Sequence, residues 1–66
     1  MSREFKEILK EFLSENNLTQ SAFAKQISVK QSQVSEWLKG KAKPGYDLMK
    51  QILTRSDKSA EYWFDL

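Results

Sequence analysis

The sequence predicts an all-α fold, a compact arrangement of five short helices in one domain spanning residues 1–66. Apolar residues recur at helical spacing along most of the chain, and capping residues and breakers fall between those periodic segments. The connections are short, with no repeat, low-complexity stretch or linker.

The first helix is expected over residues 3–15. Phe5, Ile8, Leu9, Phe12 and Leu13 fall at i, i+3, i+4, i+7 and i+8 and make one continuous apolar face. Arg3, Glu4, Lys6, Glu7, Lys10 and Glu11 cover the other side. Ser2 is the expected N-cap, and Asn16 and Asn17 can take the left-handed conformation that ends a helix, after which Leu18 returns to the core. Thr19 caps a second helix over residues 20–26, whose buried side is Phe23, Ala24 and Ile27. The third helix runs from about residue 30 to residue 39. Val34, Trp37 and Leu38 face inward along it, and Gly40 stands where a left-handed residue is wanted. Pro44-Gly45 breaks the chain, and a fourth helix over residues 46–54 buries Leu48, Ile52 and Leu53. Ser59 caps a last helix through Asp65, with Trp63 and Phe64 on its apolar side. Tyr62, Trp63 and Phe64 are successive on that helix, about 100° apart, so at least one of them is expected to be partly exposed.

With 66 residues the chain stands near the lower limit for folding without disulfides, metal or a partner. It has no cysteine and no histidine, which removes thiolate metal sites and the usual general acid or base at neutral pH. The acids are scattered among lysines on helical faces, so an enzyme is not expected and no cofactor is implied. Net charge is only +2, yet residues 39–43, KGKAK, carry three lysines and no acid, whereas residues 57–66 carry three acids and one lysine. A local basic loop on a nearly balanced chain suggests a directed phosphate contact, and a merely solvated loop is the alternative. No apolar run approaches membrane-spanning length and no signal-peptide pattern opens the chain, so no membrane partner and a cytoplasmic location are expected.

The most informative segment is residues 20–39, QSAFAKQISVKQSQVSEWLK. It reads as two short amphipathic helices joined by a tight turn, the pattern of a helix-turn-helix, in which the second helix enters the DNA major groove. Opposite its apolar stripe the second helix carries Gln31, Ser32, Ser35, Glu36 and Lys39. Glutamine and serine can hydrogen-bond base edges without the heavy desolvation cost of a full charge.

Gln20 opening helix 2, Ala24 at the tight helix contact, Val34 and Trp37 in the core and GKAKP after helix 3 make the chain similar to the phage-repressor/Cro (Xre, lambda-repressor-like) helix-turn-helix family. The closing SAEYWF resembles the family's final helix, and the likeness covers nearly the whole chain. It implies a sequence-specific transcriptional regulator, probing double-stranded DNA with helix 3 and acting as a homodimer on palindromic operators. By position, Lys30, Gln31, Ser32, Ser35 and Glu36 would read bases. Gln20 would touch a phosphate at the start of helix 2, and Lys39, Lys41 and Lys43 would lie along the sugar-phosphate backbone. Tyr62, Trp63 and Phe64 are the candidate dimer surface.

Two positions depart from the family pattern. Ser28 stands where the turn ordinarily has glycine, at a cost of roughly 1 kcal/mol for a left-handed backbone with a Cβ, and Lys30 replaces a small capping residue. Ser28-Val29-Lys30-Gln31 also fits S-x-x-Q, a capping box in which Gln31 folds back and reads no base. In the base-reading alternative Gln31 bonds adenine, with Gln20 as its buttress. Two other functions fit the same shape. One is an antitoxin-type autoregulator; the other is a protein-interaction module without DNA binding, which Glu36 and the modest net charge favour.

Overall fold

In the computed structural model, which describes residues 3–64, five helices follow one another: α1 (Phe5–Glu15), α2 (Gln20–Gln26), α3 (Gln31–Lys39), α4 (Tyr46–Ser56) and α5 (Ala60–Phe64). No strand occurs among the described residues. One core draws on all five helices. It contains Ile8, Leu9, Phe12 and Leu13 of α1, Phe23 and Ala24 of α2, Ile27 after it, Val34 and Trp37 of α3, Met49 and Ile52 of α4, and Trp63 of α5. The α1 face is therefore the expected one, and α1 packs on both α3 and α5 while α2 packs on α3.

The start of α1 differs from expectation. Ser2 lies outside the described residues, and the N-cap is Glu4, whose backbone N–H donates to the Glu7 carboxylate at 3.3 Å. Arg3 precedes the helix and reaches along it to Glu11 at 2.8 Å. α4 runs to Ser56, two residues past the expected end, and stops at Asp57 in the left-handed conformation. Its inward column is Met49, Ile52 and Ser56, at i, i+3 and i+7; Leu48 and Leu53 flank it half-buried. The register is set by α5, because the buried Trp63 indole donates from Nε1 to the Ser56 hydroxyl at 3.0 Å. A polar atom in the core needs that partner, so serine rather than leucine faces in.

The three aromatics of α5 divide as their angular spacing requires. Trp63 is 1% exposed and sits among Phe12, Tyr62, Phe5 and Phe23, with ring centroids 5.0, 5.3, 5.7 and 6.4 Å away. Tyr62 is half-buried against Phe12; burial raises its phenol above the ordinary value, and the Glu15 and Glu11 carboxylates add to the rise. Phe64, expected on the apolar side, is 49% exposed. Trp63 belongs to the core and is closed to any partner, which removes it from the candidate dimer surface. Ser59 caps α5 as expected, its hydroxyl accepting from the Tyr62 N–H at 3.4 Å; Asp65 lies outside the described residues. A clamp that sequence reading missed joins α2 to α4: Gln26 Nε2 donates to the Arg55 carbonyl at 2.7 Å, and the Arg55 guanidinium donates to the Gln26 carbonyl at 3.4 Å.

Candidate nucleic-acid interface

α2 starts where Thr19 places its hydroxyl to accept from the Ala22 N–H at 3.0 Å. Gln20, the first helical residue, is half-buried beside Lys10, Leu13, Leu18 and Leu38 in an open groove between α1, α2 and α3. Leu38 is thus only half-buried, at the rim of the core.

The turn between α2 and α3 is a Schellman stop built on serine. Ser28 has φ 61°, its N–H donates to the Lys25 carbonyl at 3.3 Å, and the Val29 N–H donates to the Ala24 carbonyl at 2.9 Å. The same pair of bonds closes α1 around Asn17 (φ 53°) and α3 around Gly40 (φ 78°). Of these three positions only Gly40 lacks a Cβ; asparagine tolerates the left-handed region through local hydrogen bonding, and serine tolerates it least. Ser28→Gly is therefore expected to raise stability by about 0.5–1 kcal/mol, a gain of several degrees in Tm. A thermal melt checks this, and an unchanged or lowered Tm would show the turn to be unstrained.

That left-handed turn also settles how α3 begins. Ser28 lies two residues before the cap and cannot cap α3, so the S-x-x-Q box is not formed. The N-cap is Lys30, whose backbone N–H donates to the Gln33 side-chain oxygen at 3.2 Å. Gln33, a residue without a role in the sequence reading, is the one that folds back. Its signal was present as glutamine three residues into the helix, but lysine is a poor capping residue and hid it. Gln31 is exposed, and among the described residues no hydrogen bond engages its side chain, so no Gln20–Gln31 pair forms.

Gln31, Ser32, Ser35, Glu36 and Lys39 occupy an arc of about 140° on α3 at 100° per residue, away from Val34 and Trp37. Gln31, Ser32, Glu36 and Lys39 are exposed; Ser35 is half-buried, so it is less available than its position suggests. Lys30 is exposed at the cap, and Lys41 and Lys43 are exposed on the segment after α3. Among the described residues none of Lys30, Lys39, Lys41 and Lys43 pairs with a carboxylate. Tyr46 follows directly, 78% exposed, with Lys50 Nζ 5.3 Å from its ring centroid. The surface therefore offers uncharged donors and acceptors and the Glu36 carboxylate on one helix, flanked by cations without a carboxylate partner among the described residues, which is chemistry suited to base edges between phosphates. No group of acids that could hold a metal ion occurs among the described residues.

The family model described as helix-turn-helix matches residues 9–63, from within α1 to within α5. No curated protein and no solved structure matches the chain.

Proposed function

The chain belongs to the helix-turn-helix family of DNA-binding regulators, and from that premise we propose that it is a sequence-specific repressor of the phage type. In this reading α3 lies in the major groove. Lys30, Gln31, Ser32 and Glu36 face base edges, Ser35 contributes from its half-buried position, and Gln20, Lys39, Lys41 and Lys43 hold phosphates. The observation that carries the reading is the division of labour at the start of α3: Gln33 satisfies the cap and leaves Gln31 free to bond adenine N6 and N7. Glu36 cannot hold a phosphate; it accepts from cytosine N4 or repels wrong registers. The whole chain acts as one DNA-binding unit.

The reading includes a homodimer, because one small domain reads few base pairs and two read a palindrome. The exposed Phe64, beside Phe5, Pro44 and Met49, supports α5 as the paired element. Selection of bound duplexes from a random pool at near-physiological salt tests both proposals. An enriched motif with two-fold symmetry and half-sites one helical turn apart is the expected result. No enrichment would favour a protein-interaction module, in which Glu36 and the balanced charge serve a protein partner.

Replacing both Lys41 and Lys43 with alanine is expected to weaken binding to all sequences alike. The slope of log K against log salt should flatten by up to about 0.9 per lost phosphate contact. A lost base preference with the slope intact would contradict the phosphate role. Among the described residues no helix is long and apolar enough to cross a membrane.

A further inference from the structure

We propose that Lys6, on the first helix and outside the helix-turn-helix, is a further phosphate contact that forms one cationic surface with the segment after α3. This rests on the DNA-binding reading above. Gly40 explains the placement. A Cβ built there would stand 3.1 Å from Lys6 Cδ, 3.3 Å from Nζ and 3.7 Å from Cε, so the lysine stem lies directly over the glycine backbone. Lys6 also shares a small cleft with Trp37, Ala42 and Lys43. A long flexible side chain is thereby held across the end of α3, with its ammonium beside the lysine-bearing segment instead of ranging freely over solvent.

The competing partner of Lys6 is weak. Glu4 approaches at 3.8 Å, with the Lys6 side chain 42% and the Glu4 side chain 65% exposed. Such a pair contributes little, and a phosphate can replace the carboxylate. The end of α3 also carries the negative pole of the helix dipole, which favours a cation there in the free protein. That dipole explains why Lys6 is drawn to Gly40 before DNA is bound, and it provides the alternative role, a purely structural cap.

Lys6→Met separates the two roles, because methionine keeps an unbranched stem over Gly40 and removes only the charge. Binding of a duplex is measured across a salt series for the wild type, Lys6→Met, Lys6→Arg and Lys58→Met, with thermal melts of each. Lys58 is the control cation, placed over the Tyr62 ring at 5.2 Å. The expected result is a slope smaller by about 0.9 in Lys6→Met, with affinity about five-fold weaker near 150 mM salt for every sequence. Lys6→Arg and Lys58→Met should keep the wild-type slope. A Lys6→Met slope equal to the wild type, with or without a lower Tm, overturns the contact and leaves the structural cap. An equal loss in Lys6→Met and Lys58→Met also overturns it, since net charge alone would then explain the change. If the wild type shows no salt-dependent binding to any duplex, the DNA-binding reading itself fails and takes this contact with it.

Discussion

Trp63→Ala is expected to destabilise the domain by about 3–5 kcal/mol, the largest effect of any single substitution considered for this chain. Trp63 is 1% exposed and closes the core from the end of the chain, touching rings from α1 and α2 as well as its neighbour Tyr62. Its removal deletes the largest fully buried side chain, orphaning no charge but taking the donor from the buried Ser56 hydroxyl, so the cost is lost transfer energy, the cavity left behind and one lost hydrogen bond. At about 0.05–0.15 kcal/mol per residue, 66 residues sustain a total of only about 3–10 kcal/mol. The variant should therefore lose more than about 12 °C in Tm, or be unfolded at room temperature, as read by far-ultraviolet circular dichroism. Two companions test the reason. Ser56→Ala should cost about 1–3 kcal/mol, because the indole N–H would be left buried without an acceptor. Phe64→Ala should cost about 1 kcal/mol or less, because that ring is already half in solvent. A Trp63→Ala domain melting within a few degrees of the wild type would place the core elsewhere.

Gln31→Ala is expected to weaken specific DNA binding by about 1–3 kcal/mol, roughly 5- to 150-fold, and to relax preference at one base pair while leaving the salt slope unchanged. A bidentate glutamine–adenine contact loses both hydrogen bonds together, which is why the effect concentrates at one position. Gln33→Ala provides the contrast. Its side chain accepts from the Lys30 N–H, so its loss should lower stability by about 0.3–1.5 kcal/mol and leave base preference intact. The decisive readout is duplex selection repeated with each variant. An unchanged motif with Gln31→Ala would remove Gln31 from the base-reading set. A changed motif with Gln33→Ala would show that the cap and the reader are not separable.

The roles that separate Trp63 from Phe64 and Gln31 from Gln33 were only partly legible in the chain. The helical register of α1 was legible because Phe5, Ile8, Leu9, Phe12 and Leu13 leave a single apolar face and no competing one. For α4 the apolar residues Leu48, Met49, Ile52 and Leu53 span a wide arc, and periodicity alone cannot say which edge of it is deepest. The answer came from Trp63, a residue on another helix whose indole requires the Ser56 hydroxyl. Capping shows the same limit. Thr19 was legible as a cap because its hydroxyl bonds within three residues. The start of α3 was not, because two overlapping boxes, 28–31 and 30–33, compete, and the left-handed turn at Ser28 excludes the first.

What the sequence determined by itself is therefore local and periodic: five helices, the motif at α2 and α3, the lysine-bearing segment after it, and membership of the helix-turn-helix family. These follow from spacings of three and four residues and from caps within one turn, interactions that close without reference to distant parts of the chain. Tertiary structure decided which aromatic of α5 is buried, which serine the core admits, and that Lys6 lies over Gly40. Each of those outcomes depends on contact between separate elements, whereas the free glutamine at the start of α3 follows from the local bond between Lys30 and Gln33 and the turn at Ser28. Close packing permits only one of the neighbouring side chains to occupy each inward position, and no local pattern specifies which one it is.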